Sequence, residues 1–149
     1  MSDHNPRLFN DDAAVSHVGE GLLARTLPRE EWTHEAHIAA CVWIARERPD
    51  IVPERDMRDI ISRYNVAVGG VNDETQGYHE TITQVYIAAV RAHLSERANA
   101  SLIDSVNALL LSERGRRDLP LRHYSRELLF SVSARMAFVE PDIKSLSHI

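Results

Sequence analysis

Apolar residues recur three and four positions apart through most of the chain, and each stretch with that period ends at a proline, a glycine or a polar cluster. Ala14, Val15, Val18, Leu22 and Leu23 mark a first amphipathic helix over residues 12–25. Pro28 with Arg29-Glu30-Glu31 reads as a helical first turn, and Thr33 is a side chain suited to cap the second helix, which runs to about Arg48 and stops before Pro49. Pro53 opens a third helix through Met57, Ile60, Ile61 and Tyr64. Gly69-Gly70 supplies the left-handed geometry that ends it. After a polar loop at 72–76, Ile82, Val85, Tyr86, Ala89, Val90 and His93 carry the clearest period, over a fourth helix from 78 to about 96. A fifth spans 101–112 with Leu102, Val106, Leu109 and Leu110 inward, and residues 124–139 predict one or two short helices broken between Phe130 and Ser133. No alternating strand pattern of useful length occurs, nor any repeat. The pattern therefore predicts an all-α, single-domain bundle of about five to six helices over residues 11–149, behind a polar arm at 1–10 expected to be flexible.

Composition narrows the function classes. A chain of 149 residues that is 44% hydrophobic can bury a full core without staples, and the lone Cys41 offers no internal disulfide in any case. A net charge of −5 argues against the basic face that nucleic acid requires. The apolar runs are too short to span a bilayer and the N-terminus lacks a basic-then-apolar leader pattern, so no membrane partner and a cytoplasmic location are expected. The basic stretch from Arg114 to Arg117 reads as a solvated turn.

Candidate chemistry concentrates in two runs, Trp32-Thr33-His34-Glu35-Ala36-His37 and Gly77-Tyr78-His79-Glu80-Thr81-Ile82-Thr83, both at predicted helix starts. His34 and His37 stand three apart, so two imidazoles can turn toward one ion. With His79 from the fourth helix they would form a nitrogen-rich site suited to zinc, nickel or iron. The zincin pattern is absent, since His34 to His37 is one residue short and Thr83 stands where a second histidine would follow His79. Glu35 complements the positive end of its helix, and Glu80 is placed to reach back to a cap N–H. Tyr64, Asn65, Asn72, Tyr78, Glu80 and His123 are candidate pocket residues. The alternative reading makes the histidines satisfied core residues and the protein a non-enzymatic module that binds a small molecule or a partner chain, a second copy included.

The same residues carry a resemblance. Trp32 to His37, Tyr64-Asn65, Gly69 to Asn72, Tyr78 to Thr83, and the ending from His123-Tyr124-Ser125-Arg126 through Phe138 to Asp142 resemble the signature of a family of small bacterial helical proteins, over about residues 20–146. The resemblance implies one helical domain centred on His34, His37 and His79 and implies no particular reaction. In architecture alone the chain is also similar to the DinB-like four-helix bundles, which hold a metal on three histidines, although the histidine spacings differ.

Overall fold

A computed structural model describes residues 4–149. Seven α-helices follow one another: α1 (Asp12–Ala24), α2 (His34–Glu47), α3 (Pro53–Ala67), α4 (Glu80–Glu96), α5 (Leu102–Leu111), α6 (Arg126–Leu129) and α7 (Val132–Met136). Single 3-10 turns at Arg29–Glu31, Glu113–Gly115, Pro120–Arg122 and Leu146–His148 bridge or end them. Among the described residues there is no strand, and no helix is long and apolar enough to cross a membrane.

The helix starts follow local chemistry. Asp11, Thr33, Ser101, Ser125 and Ser131 each accept a backbone N–H two or three residues into the helix they cap. Pro53 is the first residue of α3, where its missing N–H costs nothing. Gly69, at φ +91°, follows the end of α3.

Helix α2 occupies the centre and packs against α1, α3, α4 and α5. From Ala36 to Ile44 every side chain except His37 is buried, because this stretch carries no charge to hold any other face in water. α2 is therefore buried nearly all round. Gly19 of α1 makes the closest approach, since a Cβ there would run into the Trp43 ring. On α4 Val85, Ala89, Val90 and His93 are buried as the period suggests, but Thr81 and Ile87 are buried as well while Ile82 and Tyr86 are half-buried beside cavities, so the buried face is broader than one stripe. A second, smaller core joins Val85 and Ala89 to Leu119, Tyr124 and Leu129, so the chain after α5 caps the far side of α4.

The N-terminal arm, from residue 4 onward, lies along α5. The Phe9 N–H donates to Asn107 Oδ1 at 2.9 Å, Asn107 Nδ2 donates to Phe9 O at 3.0 Å, and the His4 ring bonds Leu110 O. Residues 1–3 of that arm lie outside the described residues. The basic turn is paired rather than merely solvated: Arg114 meets Glu96, Arg116 meets Asp118 at 2.9 Å, and Arg117 reaches Glu35 at 3.4 Å.

Candidate functional site

A cleft of about 560 Å³ lies between the Arg29–Glu31 turn, the start of α2, the last turns of α3 and the loop leading into α4. Its floor is an aromatic ladder. Trp32 stacks on His37 with ring centroids 3.7 Å apart and meets Tyr64 edge-on at 5.4 Å. Tyr64 is immobilised in turn, because its hydroxyl donates to Leu27 O at 2.9 Å and the side chain is fully buried.

His37 is the one histidine of this ladder with chemistry to spare. Its Nδ1 lies 2.7 Å from Thr33 O, and a carbonyl only accepts, so Nδ1 carries the hydrogen and Nε2 keeps a lone pair. Nε2 has no hydrogen-bond partner among the described residues. Crowding by neighbouring protein atoms lowers the ring's pKa from its ordinary value, against the upward pull of the Thr33 carbonyl and with a further small push from His34. The residue is nevertheless exposed at the surface, so His37 is within reach of a ligand. The ring is neutral at pH 7.

The opposite wall is built by the asparagines. Asn72 Oδ1 accepts from Asn65 Nδ2 and from the Tyr78 N–H, each at 2.9 Å, while Asn72 Nδ2 donates to Ser62 O at 2.9 Å. Two of those bonds pin the 69–78 loop to α3, and the third closes the loop on itself. Gly77 makes the clamp possible: it sits at φ +80°, and a Cβ there would strike Val71 O and Asn72 Oδ1. Asn65 and Tyr78 line the cleft with Tyr64, whereas Asn72 stands behind the wall.

The remaining candidates have structural partners. His79 is the N-cap of α4: its Nδ1 accepts the Ile82 N–H at 3.1 Å and its Nε2–H donates to Leu129 O at 2.7 Å. One neutral tautomer satisfies both bonds, and burial lowers its pKa accordingly. Glu80 is thus the first helical residue rather than the third, and instead of reaching back to a cap N–H it accepts from the Tyr78 hydroxyl at 2.5 Å beside Arg58. His34 donates from Nε2 to Gly115 O at 2.8 Å. His123 is buried away from the cleft, bonded through Nδ1 to Lys144 O at 2.9 Å.

A zinc, nickel or iron ion on His34, His37 and His79 would need a lone pair from each. His79 has none to give, and among the described residues no three His, Cys, Asp or Glu side chains are grouped to hold an ion. The three histidines are instead spread over separate spaces, His34 also facing a third one with His4, Glu35 and Arg117. His37 and His79 line the cleft, while His34 and His37 line an apolar recess of about 280 Å³ with Ile38, Cys41, Met57 and Ile87. His37, Ile61, Ile82 and Thr83 belong to both. Burial raises the Cys41 thiol to about 12, so it lines that recess as an inert apolar group.

Sequence reasoning overlooked Arg29 as a site residue. It lines the cleft and makes no ion pair among the described residues. The available signal was its spacing of three from Trp32, because side chains three apart eclipse one another on a 3-10 turn. No protein-family model matches the chain, and no curated protein or solved structure matches it either.

Proposed function

We propose that this protein binds a small organic molecule in the cleft, with His37 Nε2 accepting a hydrogen bond from it and Trp32 covering one face of the site. The observation that carries the reading is the state of His37. Its ring is anchored at Nδ1, stacked on an indole and left with a bare acceptor beside a cavity of ligand size. Binding is favoured over acid–base catalysis by the direction of the pKa shift. A general base works best with a partner that steadies its protonated form, and no carboxylate lines the cleft to stabilise an imidazolium on His37, whose pKa is lowered rather than raised. The histidines then divide into one that recognises a ligand and others that serve the fold.

The test is a nuclear magnetic resonance screen with a library of heteroaromatic fragments. Binders are expected to move the His37 ring and Trp32 indole signals together, and to lose affinity in His37→Ala. Fragments that bind elsewhere, or leave both signals unmoved, overturn the reading.

A further inference from the structure

We infer, resting on that reading, that the cleft's ligand is a compact organic anion whose apolar body carries an O–H or N–H donor. Three independent features of the lining lead there. Arg29 is the one charged side chain among the described residues lining the cleft, and no carboxylate lines it to hold the guanidinium. The neighbouring acid Glu31 is engaged elsewhere, accepting from His17 at 2.9 Å, and Glu30 is not part of the lining. A guanidinium without a protein partner at the mouth of a cavity selects a carboxylate or phosphate oxygen, which it can grip with two parallel N–H groups.

The second feature is register. The Trp32 N–H closes the 3-10 turn on Arg29 O at 3.1 Å, so positions 29 and 32 share one side of that turn. Charge recognition and the stacking surface are thereby placed side by side, which suits a flat ring bearing an anionic group and suits a bare inorganic ion poorly. The third is the acceptor. His37 as neutral imidazole offers only a lone pair at Nε2, so the ligand must supply the hydrogen. Beyond His37 the shared residues Ile61 and Ile82 also line the apolar recess, which gives the body of the ligand an apolar wall.

The experiment is calorimetric titration of the full chain with 4-hydroxybenzoate, 4-hydroxybenzamide, benzoate and 4-hydroxyphenyl phosphate. The hydroxybenzoate should bind about tenfold or more tightly than the uncharged amide and than benzoate, since each comparison deletes one charged or buried hydrogen-bond partner. Whichever of the carboxylate and the phosphate binds more tightly identifies the head group. Arg29→Gln, an exposed position whose loss leaves the core intact, should erase the preference for the acid over the amide. Equal binding of acid and amide by the wild type, or an acid preference that survives Arg29→Gln, overturns the anionic ligand. Absence of binding by all four probes overturns it as well. The fragment screen judges the cleft separately: neutral fragments that move His37 and Trp32 there would leave the cleft reading standing after this inference had failed.

Discussion

His79 shows how far one side chain's role depends on where its two nitrogens point. Both are committed to backbone groups, one to the cap of α4 and one to a carbonyl fifty residues later. His79→Ala should therefore cost about 2–4 kcal/mol in denaturant melts, the sum of a lost cap and an unpaired buried carbonyl. His79→Asn keeps a capping oxygen and should recover part of that loss. Neither variant should change zinc uptake measured by calorimetry, because His79 has no lone pair to donate; a loss of zinc affinity in His79→Ala would restore the three-histidine centre. Gly77→Ala should cost about 1–2 kcal/mol for its left-handed backbone alone, with more from the Asn72 contact, and should weaken fragment binding by loosening the wall. Spacing identified His34, His37 and His79 as the chemically interesting histidines. The carbonyls of Thr33, Gly115 and Leu129 decide which nitrogen of each carries the hydrogen, and two of those three lie more than forty residues away in sequence.

At the scale of elements, legibility followed burial geometry. The ends of α1, α3 and α5 were readable because Asp11, Pro53, Gly69 and Ser101 act locally, through their own backbone. The break before α7 was equally plain, with Ser131 capping it. The face of α4 was read too narrowly because two cores share that helix: Val85 and Ala89 turn to the C-terminal layer, and Ile87 and Val90 to the bundle. A single-stripe reading captures the middle of such a face and misses its edges, Thr81 and Ile87. This yields a ranking that stability measurements can check. Ile87→Ala should cost about 2–5 kcal/mol, and Ile82→Ala less than half as much, because Ile82 already borders open space. Equal costs would place Ile82 in the core after all. Gly19→Val should be among the most damaging changes in α1, since the Trp43 ring leaves no room for a branched side chain.

Across the whole molecule the histidines act in one direction. Burial is the leading cause that lowers His34, His37, His79 and His93 below their ordinary 6.5. The unfolded chain therefore binds more protons than the native one just below that value, so stability is complete above about pH 6.5 and declines as the pH falls toward the folded-state values. Melting temperatures followed by circular dichroism should be level from pH 8 to 7 and drop between 6.5 and 5. A level or rising curve through that interval would mean that these imidazoles are protonated in the native fold. One arrangement in the outer layer bears on how this protein can diverge. α4 and its neighbours hold the C-terminal segment through its main chain: His79 donates to Leu129 O, Thr81 to Ala137 O at 3.0 Å and Tyr124 to Val139 O at 2.6 Å. A carbonyl survives any substitution of the residue that bears it. At exposed Ala137, neutral drift can replace the side chain freely while the docking bond persists, so the donors at 79, 81 and 124, and not their acceptors, are where selection has a grip.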